Sequence, residues 1–162
     1  MSTEARGRVV DVPLESLPFV DEHSIVIAAS PERVWDALND VMFADSYARP
    51  ALPLARALGC EQTERSGKPG RIGSTLPGFV VTRSIRPALL ALMGSHRFAR
   101  YALVFSITET PLEPVVLTAE TRAEFPGTKG RLYRLAVIGT RGHVLATKAI
   151  LHRVRGRAER SS

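Results

Sequence analysis

The sequence predicts an α+β domain in which a single antiparallel sheet is closed by a long C-terminal helix. Three observations carry this. A short run of β-branched and small residues, Ser24 to Ala28, passes almost at once into a capped helix beginning after Ser30. Residues 115–125 alternate, with Val115, Leu117, Ala119, Thr121, Ala123 and Phe125 on one face and Thr118, Glu120, Arg122 and Glu124 on the other. Alternation of that kind is what a strand with one face in the core and one in water requires. From Thr128 to Arg160 the apolar spacing becomes helical.

Residues 1–20 read as an irregular leader interrupted by Pro13 and Pro18, and the domain is expected over residues 21–160. The first helix starts on good terms: the Ser30 hydroxyl can accept an N–H from the first turn, and Pro31 stands where a missing N–H costs nothing. Val34, Trp35, Leu38 and Val41 then recur at helical spacing, so Trp35 belongs with the core more than with a binding cavity. A second short helix is expected near 51–58, ended by Gly59. The Gly-rich stretch at 64–74 reads as a turn, and 78–85 as a strand. "ALLALMG" at 88–94 is ambiguous in period, but its shortness and its flanking Pro87 and Gly94 favour a strand. Residues 97–108 form a long strand with Ala99, Tyr101, Leu103, Phe105 and Ile107 on one face, and 110–114 a turn. In the closing helix, Leu132, Leu135, Ala136 and Ile138 lie on one side of the first half, and Thr147, Leu151, Val154 and Ala158 on one side of the second. "GTRG" at 139–142 should break or kink it, because each glycine costs about 1 kcal/mol relative to alanine.

Charge and composition narrow the function classes. The net charge is +6, but the segment from Lys129 to Arg160 holds nine Lys or Arg against one acid, Glu159. The excess is therefore local. No stretch has the roughly 20 apolar residues of a membrane span, and the first twenty residues carry Glu4, Asp11 and Glu15 without an apolar core. The single cysteine, Cys60, excludes an intrachain disulfide and fits a reducing, cytoplasmic setting. No nucleophile elbow occurs, and Gly67-Lys68 is followed by Pro69 where a P-loop needs Ser or Thr. His23, His96, His143 and His152 are scattered, so neither a metal nor another cofactor is expected.

The run "IVIAASPERVWDALND" at 25–40, the strand ending "LTAETRAEF" at 117–125 and the helix ending "LHRVRGRAE" at 151–159 resemble the START-like, or Bet v1-like, superfamily. That superfamily (SRPBCC) includes the polyketide cyclase/dehydrase group. The resemblance implies a helix-grip fold: a curved antiparallel sheet wrapped around a long C-terminal helix, with two short helices after the first strand. A strongly curved sheet is covered incompletely by one helix, and the gap is an apolar cavity suited to a lipid, sterol, polyketide or similar ligand. Its expected lining is Phe79, Val81, Tyr101, Leu103, Phe105, Leu117, Thr121, Leu135 and Ile138.

The expected function is binding of such a ligand without catalysis. The alternative is a polyketide aromatase/cyclase-like enzyme, for which Tyr101 is the candidate catalytic group on an otherwise apolar face. Thr121 faces the same way, Arg83 would if it shares the side of Phe79 and Val81, and Tyr133 and His143 could approach from the helix. The opposed reading of Tyr101 is that its ring packs and its hydroxyl meets a backbone partner. Glu120 and Arg122 are expected in solvent. A further alternative is contact with an anionic surface through Lys148, His152 and Arg155, which share a helical face. A membrane surface fits this better than nucleic acid, for which no motif is present. A monomer and a homodimer both remain open.

Overall fold

Strand β1 (Phe19–Ile27) leads into helix α1 (Pro31–Met42) in the computed structural model, which describes residues 13–139 and 141–160. Ser30 caps α1 as its sequence requires, its Oγ accepting from the Arg33 N–H at 3.4 Å. Helix α2 (Asp45–Leu58) begins six residues before the expected start and carries Pro50 and Pro53 inside it. The carbonyls those prolines cannot serve, on Ser46 and Arg49, belong to exposed residues, which solvent can reach. Gly59 ends the helix in the left-handed region at φ 71°.

The sheet follows as β2 (Thr75–Leu76), β3 (Phe79–Ile85), β4 (Leu89–His96), β5 (Ala99–Thr110) and β6 (Glu113–Glu124). All six strands pair antiparallel in the order β1-β6-β5-β4-β3-β2. The segment of ambiguous period at 88–94 is therefore strand β4. The C-terminal stretch is two helices, α3 (Gly127–Gly139) and α4 (Gly142–Arg160), with Arg141 at φ 55° between them.

The concave face holds the main core. Val81, Leu90, Leu92, Phe105 and Leu117 of the sheet meet Val34, Trp35, Leu38 and Met42 of α1 and Leu151, Val154 and Ala158 of α4. The far end of α4 is pinned by polar contacts: the Arg33 guanidinium donates to the Ala158 carbonyl at 2.6 Å, Glu159 accepts from the Ala28 N–H at 3.1 Å, and Arg157 pairs with Asp40 at 2.7 Å.

Two sequence readings change here. β1 starts at Phe19, inside the expected leader, because its inward residues Asp21 and His23 are polar and hide the alternation that Ile25 and Ile27 show. The described part of the leader also packs. Leu14–Ser16 forms a short 3₁₀ turn, and Leu17, with Leu14, joins Val80, Met93 and Ala102 in a second cluster on the outer face of the sheet. Arg122 donates to the Leu17 carbonyl at 3.1 Å and pairs with Glu120, so these two side chains are half-buried structural partners and not merely solvated. Leu17 is 1% exposed. We expect Leu17→Ala to lower the unfolding free energy by roughly 2–5 kcal/mol in urea titrations. An unchanged midpoint would mean that the segment is a passive tail.

An aromatic site at one end of the concave face

Helix α4 seals one half of the concave face. Under α3 the covering is different. A chain of six rings crosses this end: Phe79 of β3, His96 of β4, Tyr101 of β5, Phe98 in the β4–β5 turn, Phe125 after β6, and Tyr133 of α3. Phe79 meets Tyr101 edge-on at 5.2 Å, Tyr101 meets His96 at 5.5 Å, and His96 meets Tyr133 at 4.8 Å. Tyr133 stacks on Phe98 at 5.5 Å. These spacings are those of attractive ring pairs. All six are half-buried, whereas Phe105, in the sealed half, is wholly buried.

The strands were shaped for this arrangement. Gly94 pairs with Tyr101 across β4 and β5. A Cβ on Gly94 would stand 1.9 Å from the Gly78 carbonyl oxygen and 2.7 Å from the Tyr101 ring. Only glycine lets the ring lie across β4 and lets its hydroxyl donate to that carbonyl at 2.7 Å. Burial pushes the Tyr101 hydroxyl far above its ordinary range, with the neighbouring Cys60 adding to the shift. Tyr101 Oη also lies 3.6 Å from Cys60 Sγ. Burial likewise pushes the Cys60 thiol up, so it is a thiol and not a thiolate at neutral pH.

His96 is the polar member. Its Nδ1 accepts from the Phe98 N–H at 3.1 Å. Burial holds the imidazole below its usual 6.5, so it is neutral at pH 7 and carries its proton on Nε2. Among the described residues no protein acceptor takes that N–H.

A second constellation lies at the β1 edge, where the two C-terminal helices part. His143 of α4 donates to Asp21 Oδ2 at 2.7 Å, and His23 approaches the same oxygen at 3.3 Å. Asp21 faces Thr121 directly across β1 and β6, and Asp21 Oδ1 and Thr121 Oγ1 are buried without a hydrogen-bond partner. Burial raises the Asp21 carboxyl, but hydrogen bonding led by His143 outweighs it and the net shift is downward. Both imidazoles address one oxygen, and among the described residues no cluster forms a metal site.

The sequence candidates thus divide. Phe79, Tyr101 and Tyr133 come together; Thr121 and His143 form the other group with Asp21. Val81, Leu103, Phe105 and Leu117 belong to the packed core with α1 and α4. Arg83 turns away although Phe79 and Val81 do face inward, because a bulge between Val81 and Arg83 reverses the alternation. It pairs with Glu15 on the outer face at 2.9 Å. Leu135 is 71% exposed and points to solvent, since α3 turns Tyr133 inward instead. The side chain of Ile138 lies outside the described residues. Lys148, His152 and Arg155 do share a face, forming one wall of an open groove of about 400 Å³ whose other wall is residues 22 to 25 of β1. No described helix is long and apolar enough to cross a membrane. His96, Phe98 and Phe125 were not foreseen as site residues, having no shared period; only their placement at strand ends unites them.

No family model and no curated protein matches the chain. Among solved structures, it is similar to a norcoclaurine synthase point mutant from Thalictrum flavum in complex with a transition-state analogue. That pair has a TM-score of 0.55 at 15% identity, over 91% of this chain and 100% of the other. A truncated form of the same enzyme gives 0.52 at 14%, over 86% and 93%. A protein from Bacillus halodurans gives 0.55 at 17%, over 88% and 98%. The chain has the helix-grip, Bet v1-like fold.

The neutral state of His96 has a consequence for stability. The unfolded chain takes up a proton near pH 6.5, while the folded chain resists it. Stability therefore falls as pH drops below about 6.5. His96→Gln should lose less stability than the parent between pH 7.5 and 5, measured by urea unfolding at both, with losses near Asp21 displaced to lower pH. Parallel curves for the two proteins would dismiss the buried neutral imidazole.

Proposed function

We propose that the protein binds a small, largely apolar molecule with a flat ring system against the six-ring cluster and leaves it chemically unchanged. The observation that carries this is the half-burial of all six rings beneath a helix that seals them incompletely. Rings belonging only to a packed core would be buried as Phe105 is. An apolar wall with few polar groups is what a small-molecule site presents. The free His96 Nε2–H is a donor that could orient a carbonyl or hydroxyl on the ligand.

The groups that catalysis would need point the other way. The Tyr101 hydroxyl donates its hydrogen bond to a backbone carbonyl and is held far from ionising; Cys60 stays protonated. The aromatase/cyclase reading is therefore the weaker one. Norcoclaurine synthase shares the fold, and fold alone does not transfer an activity.

A neutral naphthalene-type fluorophore should bind saturably, with a negative heat-capacity change from apolar burial. Tyr133→Ala should weaken it about tenfold, as expected for loss of one stacking ring, while Tyr101→Phe should leave affinity within a factor of about three, since its hydroxyl is already engaged by the backbone. Absence of saturable binding, or indifference to Tyr133→Ala, would refute the site.

A further inference from the structure

Helix α3 has apolar residues on both sides, but the protein covers only one. Gly130, Tyr133 and Val137 turn inward, with Gly130 buried and the other two half-buried. On the opposite side Leu132 is 68% and Leu135 71% exposed. They stand one turn apart and therefore form one stripe. Just past the break, Leu145 of α4 is 69% exposed. A single exposed leucine is ordinary. A helix with apolar residues on two sides and covered on only one is not.

The surroundings of these leucines identify what fits them. Lys129, Arg131 and Arg134 flank Leu132 and Leu135; Arg141 and Lys148 lie four residues before and three after Leu145. All five are exposed, and none enters an ion pair among the described residues. Residues 128–158 contain no Asp or Glu at all. By contrast, the last turns of α4 use Arg157 on Asp40. Exposed leucines set among cations, on a segment that itself carries no carboxylate, are complementary to a surface that is apolar below and anionic at its rim.

We propose that the outer face of α3 and the first turns of α4 seat the protein on an anionic phospholipid bilayer, leucines in the acyl boundary and the five cations at the headgroups. The proposal rests on the ligand site only in that α3 is shared; it stands if that site fails.

The test is co-sedimentation of the full chain, without added ligand, with vesicles of phosphatidylcholine alone and of phosphatidylcholine with about one-third phosphatidylserine. The expected result is binding to the anionic vesicles only, lost in high salt. Leu132→Ser/Leu135→Ser should weaken it by at least about tenfold through lost apolar insertion, and Arg131→Glu/Arg134→Glu by at least about tenfold through lost headgroup attraction. These positions are exposed, so circular dichroism and the fluorophore titration should be unchanged in both variants. Binding to neither vesicle overturns the proposal. So does equal binding by the leucine variant, and so does a concentration-dependent dimer that the leucine variant abolishes, since a second copy would then be the cover.

Discussion

The concave face of one curved sheet has to be covered, and the C-terminal segment covers it in two unequal halves. The break between them decides the rest. Gly139 and Gly142 each cost a continuous helix about 1 kcal/mol, and Arg141 takes a left-handed conformation that side chains adopt reluctantly. Beyond the break, α4 adds Leu151, Val154 and Ala158 to the core cluster that holds Phe105 and Leu117 and closes it. Before it, α3 reaches the sheet through one large side chain, Tyr133, and leaves its leucines outside. A straight helix could have sealed both halves or neither. The interruption lets one end close as a core and leaves the rings of the other half-buried.

The two halves are held apart by different forces. The sealed half rests on apolar burial reinforced at its far end by Arg33, Arg157 and Glu159. The junction rests on His143 and Asp21, which tie the first turn of α4 to the edge strand. This bond is charge-assisted and partly withdrawn from water, the setting in which a single hydrogen bond counts most. Asp21 Oδ1 and Thr121 Oγ1 beside it are among the buried side-chain atoms of the described residues without a hydrogen-bond partner. Core packing therefore fixes α4, and a few polar contacts fix where α3 departs from it.

Much of the fold was legible because its signals are local. Ser30 and Pro31 mark the start of α1, Gly59 the end of α2, and the alternation at 115–125 sets which face of β6 turns inward. The site was legible only in part. Tyr101 and Phe79 could be placed inward because period two holds around Tyr101 in β5 and in β3 as far as Val81. Arg83 could not, because a one-residue bulge reverses every side chain beyond it. β1 was read short because its inward residues at 21 and 23 are polar, and polarity inside is what a pattern of hydrophobicity is blind to. Leu132 and Leu135 have helical spacing, and spacing alone assigns them to the core. Which side of a doubly apolar helix faces in is settled by a tertiary contact, the ring of Tyr133 on Phe98 and His96.

That ambiguity in α3 is itself a physical property. With apolar surface on both sides, the helix gains by burying either one, so the inward placement of Tyr133 competes with whatever the leucines touch. A molecule seated among the rings adds contacts to the inner face, and a lipid surface adds them to the outer. If the helix can satisfy both at once, the two occupants bind independently. If seating the leucines draws Tyr133 away from His96, ligand and bilayer must weaken one another by the same factor, because the coupling free energy is reciprocal. The geometry favours coupling. Tyr133 and Leu132 are adjacent residues on a helix held by ring contacts at 4.8 and 5.5 Å and flanked by glycines at both its ends, so a tilt sufficient to lower one side raises the other.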